Sequence, residues 1–334
     1  MTTSRFQLPA GAINGFDPAN PVAEPPATPV KVLYVLSAGR SGSTLVDRIL
    51  GQYSPLCAVG EVYAVWEVGV RHDTYCGCGA RFRQCPLWTA VFDRAFGGID
   101  QVDGALMEDY WRRNDQMFGD HFRSLLTRGG RLGLRASSDG AGVLEALYVA
   151  LAAESGRPYV VDTSKSVFHP YFMIGSPYVD PYVIHLVRDP HGVAYSWSKP
   201  KAEPVYGAGN LTDVSPVAKT ALWWDAFNLS ASRLRNDLPG RYLRMRYEDF
   251  AAAPAAHVRA IGEFVGLDLD PDLVLGDAAP PIVGTHSVWG NPMRFQEGRL
   301  TVRTDERWRT EMPSAQRRLV TALTAPSARA YGYR

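Results

Sequence analysis

The sequence predicts an α/β domain built on a parallel sheet of P-loop type flanked by helices. Apolar runs of strand length recur along the chain, and the first spans residues 32–37. Runs that are apolar on both faces are typical of buried parallel strands. Stretches with helical spacing separate these runs, which favours alternating strands and helices. The first run leads directly into a glycine-containing turn at residues 39–44 and then into a helical segment.

The composition is that of an ordinary globular protein and excludes several classes. The 334 residues are 46% hydrophobic and 21% charged, and a chain of this size buries roughly 75% of its unfolded surface. Whole-chain disorder, a collagen-like fibre and a membrane-embedded fold are therefore excluded. The 35 lysines and arginines balance 34 aspartates and glutamates to a net charge of +1, which gives no reason to expect a nucleic-acid partner.

The chain shows no pattern typical of membrane insertion or export. It contains no run of 18 uncharged apolar residues, and its first residues have no apolar core of signal-peptide type. We therefore expect no transmembrane segment and a cytoplasmic protein.

The remaining elements follow in order. Residues 1–29, rich in proline, alanine and glycine, are predicted to form a flexible arm, and residues 30–334 one domain with a cysteine-containing insert near 72–90. From Pro280 onward the chain is polar, which indicates a long functional loop before a last helix near 313–325. Further strands are predicted at residues 159–162, 182–187 and 242–245, and helices at about 106–128, 140–155, 190–198, 216–236 and 254–266.

The turn after the first strand carries the sharpest functional signal. The start of a helix leaves backbone N–H groups unpaired at the positive end of its dipole, which creates an anion site. Gly42 lets the backbone approach an anion closely, and Arg40 adds a cation. The alternative is an ordinary tight turn, and the lysine of the Walker loop is absent. The candidate binding residues are Gly39, Arg40, Ser41, Gly42, Ser43 and Thr44.

A second anion-binding segment is predicted where the strand at residues 182–187 ends. Arg188 stands at the strand tip, Pro190 opens the next helix, and Ser196 lies two turns into it. The guanidinium offers a fork of donors, so the arginine and the serine could converge on one phosphate. Alternatively, Arg188 pairs with Asp189 and the serine lies on a helix surface.

Together these segments resemble those of sulfotransferases that use 3′-phosphoadenosine 5′-phosphosulfate (PAPS). Residues 39–50 resemble the family's 5′-phosphosulfate loop, and residues 185–199 resemble its 3′-phosphate segment, with Arg188 and Ser196 in the matching places. Residues 246–250 resemble an element whose tyrosine, here Tyr247, lies near the adenine. The late loop resembles the segment that closes over the nucleotide, which implies cofactor-binding roles for Arg294, Gly298 and Arg299. The resemblance covers about residues 31–334 and implies the sulfotransferase fold, PAPS as co-substrate and no metal requirement.

The implied reaction transfers a sulfuryl group to a hydroxyl by in-line displacement, which depends on positioning and charge neutralisation. A base helps the attacking hydroxyl, and Glu61 is the first candidate because tyrosine and carbohydrate sulfotransferases resemble this chain in carrying a glutamate after the first helix. Lys165 is expected at the bridging oxygen or the sulfuryl group, unless it pairs with Asp162. Arg40 is expected to touch the transferred group.

Two histidines are alternative bases. The small-molecule branch of the family uses a histidine on the strand before the 3′-phosphate segment, and none stands at the matching place here. His169 lies just after that strand and His286 lies in the late loop, so either could face the acceptor.

Cys76, Cys78 and Cys85 form a cluster in the insert, with His72 nearby. Three interpretations stay open: a zinc site with His72 as fourth ligand, a disulfide between Cys78 and Cys85, or free thiols, which a reducing cytoplasm favours. No metal is expected in the reaction. The insert is also a candidate wall of the acceptor pocket, together with the aromatic and thioether residues Trp66, Tyr75, Trp88, Tyr110, Trp111, Met117 and Phe118.

Two rival functions stay open. A nucleotide-dependent kinase of P-loop type would use Asp162 as a magnesium ligand. A non-catalytic protein would bind the nucleotide without turnover. The acceptor hydroxyl is left open among small molecules, glycans and lipids.

Overall fold

The computed structural model describes residues 7–115, 139–200 and 214–333. Within these ranges the chain builds a five-stranded parallel sheet with the strand order β2-β3-β1-β4-β5. The strands are β1 (Val30–Leu36), β2 (Leu56–Gly60), β3 (Tyr159–Asp162), β4 (Val179–Val187) and β5 (Tyr242–Arg246).

Helices cover both faces of the sheet because β1 is apolar on both sides. Val32 and Tyr34 pack into one core, whereas Leu33 and Val35 pack into the other, and all four are fully buried. The predicted α/β fold is confirmed. The helices are α1 (Ser43–Leu50), α2 (Pro86–Phe96), α3 (Asp139–Ser155), α4 (His169–Met173), α5 (Pro190–Trp197), α6 (Val217–Asp237), α7 (Tyr247–Ala252), α8 (Pro254–Val265), α9 (Asp272–Leu275), α10 (Trp308–Glu311) and α11 (Ser314–Ala330); residues 104–115 are also helical.

The strand order makes the carboxyl ends of β1 and β4 a topological switch point. These strands are neighbours, yet the chain leaves β1 through α1 toward β2 on one side and leaves β4 toward β5 on the other. Diverging connections of this kind open a ligand crevice in α/β sheets. Both predicted anion-binding segments begin at this point.

Part of the chain between β1 and β3 was not anticipated. Strand β2 and helix α2 are absent from the sequence prediction, as are the short 3₁₀ and π segments Val62–Ala64, Val65–Arg71 and Phe82–Gln84. The short apolar run in β2 resembles a buried helix segment as much as a strand, because periodicity alone does not separate the two. The helix expected at about 106–128 begins as predicted, but residues 116–128 lie outside the described part of the chain.

The described part of the predicted arm, residues 7–29, carries neither helix nor regular strand and lies against the domain. Ala12 and Val22 are buried, and the backbone N–H of Leu8 donates to Asp139 Oδ2 at 2.7 Å. In the described ranges, no helix combines the length and apolar character needed to cross a bilayer.

Candidate active site

The turn between β1 and α1 has the shape of an anion-binding loop. Gly42 precedes the helix with φ 91°, a left-handed conformation that favours glycine. A Cβ at this position would lie 2.4 Å from Cδ2 of Tyr247, so the close approach of the loop to the Tyr247 ring also needs glycine. The first bond at this end of α1 runs from the N–H of Leu45 to the carbonyl of Gly42 at 2.9 Å. The N–H groups of Ser43 and Thr44 precede it at the positive end of the helix dipole, where they can meet an anion.

A tryptophan that the sequence reasoning missed supports this loop. Trp197, the last residue of α5, donates from Nε1 to the carbonyl of Gly39 at 3.2 Å. Its ring also lies 4.9 Å from the Arg40 guanidinium. Arg40 itself has φ 70°, an unusual value for a residue with a side chain. The tryptophan therefore holds both the backbone and the cation of the loop.

Arg188 faces the same loop from the end of β4. Its Nη1 donates to the carbonyl of Arg40 at 2.8 Å, and its Nη2 donates to the carbonyl of Asp305 at 3.0 Å. The Tyr247 ring lies 4.9 Å from the guanidinium carbon. Gly192 makes room for this side chain, because a Cβ there would lie 3.0 Å from Nε of Arg188.

Arg188 has Asp305 as its acidic partner rather than Asp189, the partner considered from the sequence. Asp189 caps α5 by accepting from the N–H of His191 at 2.8 Å, whereas Asp305 places a carboxylate oxygen 3.5 Å from Arg188 Nη2. Ser196 is buried in the last turn of α5 rather than exposed on a helix surface.

The side chains of Glu61 and Lys165 meet at the N-terminal end of α1. They follow the adjacent strands β2 and β3, and their carboxylate and ammonium groups are 2.9 Å apart. Lys165 Nζ also lies 2.9 Å from the hydroxyl of Ser43 and donates to the carbonyl of Thr163 at 2.6 Å. The lysine thus connects the candidate base to the anion loop, instead of pairing with Asp162.

The late loop reaches this centre through residues 289–291. The N–H of Glu61 donates to the carbonyl of Trp289 at 3.2 Å, and the N–H of Asn291 donates to Thr44 Oγ1 at 3.2 Å. Gly290, with φ 141°, allows the approach, because a Cβ would lie 3.1 Å from Thr44 Oγ1.

The three predicted binding residues of the late loop lie in different surroundings. Arg294 is buried, and its Nη1 donates to the carbonyl of Gly290 at 2.8 Å, so it braces its own loop. Arg299 is exposed and pairs with Asp277 at 2.8 Å. Gly298 accepts from the N–H of Ile282 at 3.0 Å. Further along the chain, the carbonyl of Arg303 accepts a hydrogen bond from the hydroxyl of Tyr247 at 3.2 Å.

Two carboxyl groups are buried beneath the site. Burial raises the pKa of Asp47 to about 7, although its Oδ1 accepts from the N–H of Gly60 at 3.1 Å. Burial also raises the pKa of Asp162 to about 6. Asp162 accepts from Tyr148 at 2.6 Å and from the N–H of Ser164 at 2.7 Å through its two oxygens. Both oxygens are thus engaged within the protein, which argues against the magnesium role required by the kinase hypothesis.

Neither candidate histidine is hydrogen-bonded to Glu61 or Lys165 in the described structure. His169 is buried with its ring 4.8 Å from that of Trp111, and burial lowers its pKa to about 3. His286 turns its Nδ1 toward Cys85 Sγ at 3.2 Å.

The aromatic residues considered for the acceptor pocket mostly lie in the hydrophobic core. The side chains of Trp66 and Trp88 are buried around Phe92, with ring centroids 6.0 Å and 6.4 Å from it. Tyr110 and Trp111 are buried as well, whereas Tyr75 is exposed. Met117 and Phe118 lie outside the described residues.

The arrangement suits a ligand with two anionic groups. One group would meet the N–H groups of α1 together with Arg40 and Lys165, and the other would meet Arg188 and Ser196. Fixed cations and N–H dipoles in a largely buried crevice can neutralise charge that develops during a group transfer. A carboxylate beside them can accept a proton.

Known proteins resemble this chain in sequence and in fold. A model of the sulfotransferase family matches residues 33–271. Carbohydrate sulfotransferase 6 of Homo sapiens is 27% identical over 330 residues, which cover 90% of this chain and 80% of that protein. Carbohydrate sulfotransferase 1 of Mus musculus is 28% identical over 181 residues, or 49% of this chain and 42% of that protein. The solved sulfotransferase domain of the Synechococcus PCC 7002 olefin synthase has a similar fold, with a TM-score of 0.50 and 19% identity over 93% of this chain and 98% of that domain.

Proposed function

This chain belongs to the sulfotransferase family, and on that premise we propose how its residues carry out sulfuryl transfer from PAPS. The enzyme transfers the sulfuryl group of PAPS, and we propose that an acceptor hydroxyl attacks the sulfur. An oxygen–sulfur bond forms to the acceptor, the bridging sulfur–oxygen bond breaks, and adenosine 3′,5′-bisphosphate leaves with the bonding electrons. The protein must bind the nucleotide, align the hydroxyl and neutralise charge on the leaving oxygen.

Nucleotide binding is assigned to both sides of the crevice. The loop from Gly39 to Thr44 would hold the 5′ side through the N–H groups of α1. Arg188 and Ser196 would hold the 3′-phosphate. This division is supported by the position of the two segments at neighbouring strand ends and by the guanidinium fork that Arg188 presents there.

Glu61 is proposed as the general base, with Lys165 as its electrostatic partner. The observation that carries this proposal is the contact of one ammonium group with both the Glu61 carboxylate and the Ser43 hydroxyl, each at 2.9 Å. An ammonium group beside the first residue of α1 can offset negative charge that develops on the leaving oxygen. Arg40 is assigned to the transferred group.

The remaining assignments concern the edge of the nucleotide site. Tyr247 is proposed to line the adenine side, supported by its ring packing against Gly42 and the Arg188 guanidinium. Arg294, Gly298 and Arg299 are proposed to shape and close the late loop. In this scheme Arg294 acts indirectly, by fixing the carbonyl of Gly290 beside Thr44 and Glu61.

The acceptor is proposed to be a small molecule, a glycan or a lipid with a free hydroxyl. The carbohydrate sulfotransferases among the relatives support a sugar hydroxyl as the first to test. We further propose that the enzyme acts in the cytoplasm without a nucleic-acid partner. The four cysteines, all within the described residues, are unbridged, as a reducing compartment would keep them.

The test of this function is release of adenosine 3′,5′-bisphosphate from PAPS with a panel of sugar, phenol and lipid alcohols, without magnesium. Glu61→Gln should lower kcat by about 100-fold or more, because loss of a general base costs roughly 10² to 10⁴ in rate. Nucleotide affinity should remain. Glu263→Gln, an exposed glutamate on α8, is the matched control. A fully active Glu61→Gln enzyme would remove Glu61 as the base.

A further inference from the structure

Three cysteines of the insert and one histidine of the late loop converge on a single point. The ligating atoms of the four side chains all lie within 4.8 Å of one another. Cys78 Sγ is 3.7 Å from Cys85 Sγ. His286 Nδ1 is 3.2 Å from Cys85 Sγ and 3.9 Å from Cys76 Sγ. The members of this cluster are Cys76, Cys78, Cys85 and His286.

The spacing within the cluster matches a tetrahedral metal site. With metal–sulfur bonds of about 2.3 Å and metal–nitrogen bonds of about 2.05 Å, the ligands of a tetrahedral zinc ion lie about 3.8 Å apart for two sulfurs and about 3.6 Å apart for sulfur and nitrogen. The observed sulfur–sulfur distance of 3.7 Å is close to the first value. The two sulfur–nitrogen distances, 3.2 and 3.9 Å, bracket the second.

Backbone contacts hold the two halves of the cluster in place. The N–H of Cys76 donates to the carbonyl of Ala80 at 2.9 Å, which folds the first two cysteines into a tight turn. The N–H of Gly77 donates to the carbonyl of Ser287 at 2.9 Å and joins this turn to the late loop. Trp88 Nε1 donates to the carbonyl of His286 at 2.9 Å and positions the histidine.

The structure corrects the set of ligands considered from the sequence. His72 is near the cysteines in sequence but is not part of the cluster, and His286, more than 200 residues further along the chain, takes its place. A disulfide between Cys78 and Cys85 would leave Cys76 and His286 gathered around it without a role. Four soft or borderline donors with no aspartate or glutamate among them are the donor set that zinc prefers.

We propose that Cys76, Cys78, Cys85 and His286 bind one structural zinc ion that fastens the insert to the late loop. On binding, the three thiols release their protons to solvent and His286 ligates through neutral Nδ1. All four positions are filled by protein, so the site is closed and takes no part in sulfuryl transfer. Its effect on the active site is indirect: His286 lies just before the segment 289–291 that contacts Glu61 and Thr44.

The test begins with the zinc content of the full-length protein, purified without chelator and measured by inductively coupled plasma mass spectrometry. About one zinc ion per chain is expected. His286→Ala and Cys85→Ser should each reduce the content at least tenfold. Cys57→Ser is the matched control, because Cys57 is a buried free thiol in β2 outside the cluster and its loss should leave the zinc in place.

Two measurements on the wild-type protein test zinc binding even if the variants fold poorly. Zinc removal by a strong chelator should lower the melting temperature, and zinc addition should restore it. Thiol titration of the unfolded, metal-free protein should find all four cysteines reduced. A wild-type protein that lacks zinc and takes up none under reducing conditions overturns the proposal. So does a preparation in which Cys78 and Cys85 are joined by a disulfide, or one with another metal in stoichiometric amount.

Discussion

Replacement of Arg188 by alanine should weaken binding of adenosine 3′,5′-bisphosphate without unfolding the protein. A buried, charge-assisted arginine fork on a phosphate contributes about 2–4 kcal/mol. The same guanidinium bonds the carbonyls of Arg40 and Asp305. Because a bound phosphate would share its donors with these carbonyls, we expect a loss in the lower part of that range, about 2–3 kcal/mol, or roughly 30- to 150-fold in Kd.

The assay is calorimetric titration with the bisphosphate in magnesium-free buffer. Arg188→Lys should lose about 1–2 kcal/mol, because it keeps the charge but not the planar fork. Arg259→Ala, an exposed arginine on α8, is the control and should bind as the wild type does. Circular dichroism and melting curves separate lost binding from lost folding. Unchanged affinity in a folded Arg188→Ala protein would refute the assignment of the 3′-phosphate to this residue.

Three further predictions concern Asp305, Gly42 and Asp47. Asp305→Asn removes a carboxylate that lies 3.5 Å from Arg188, so bisphosphate should bind about 2- to 5-fold more tightly; weaker binding in calorimetry would contradict this. Gly42→Ala would place a Cβ 2.4 Å from the Tyr247 ring at a φ of 91°, which should cost about 2 kcal/mol or more in the free energy of unfolding and abolish nucleotide binding; denaturant titration and a binding assay check both effects. Burial raises the pKa of Asp47 to about 7 from an ordinary value of 3.8. The stability that the protonated carboxyl contributes is therefore complete below pH 4 and is lost as the pH rises through 7, by up to about 4 kcal/mol. Asp47→Asn should flatten the resulting decline in melting temperature, and an unaltered pH profile would argue against this role of Asp47.

Contacts between distant segments decide the ion-pair partner of Lys165. Lys165 was expected either to pair with Asp162, three residues away, or to reach the transferred group. It pairs with Glu61, 104 residues earlier in the chain, rather than with Asp162, and its contact with the transferred group stays a prediction. The reason is the order of the sheet, which places β2 beside β3 and brings the residues after both strands together. Local spacing carries no information about which strands are neighbours.

The sequence also did not identify Asp305 as the carboxylate beside Arg188 or His286 as the fourth member of the cysteine cluster. Asp305 and His286 belong to the long polar segment that follows Pro280, where hydrophobic periodicity is absent. Such a segment takes its path from contacts with the rest of the fold, for example the bond from the N–H of Val288 to the carbonyl of Val59 at 2.8 Å. Val59 lies in β2, so this contact depends on the place of β2 in the sheet.

The sequence by itself determined the α/β class, the anion loop after β1 and the arginine at the end of β4. These features depend on short-range causes: apolar runs that must be buried on both faces, a glycine that permits a left-handed turn, and a helix start with unpaired N–H groups. The tertiary structure alone decided that Glu61 meets Lys165, that Trp197 supports the loop, and that His286 joins the cysteines. Each of these pairs is more than 100 residues apart, and only the packed sheet with its crossover connections brings them within hydrogen-bonding or ligating distance.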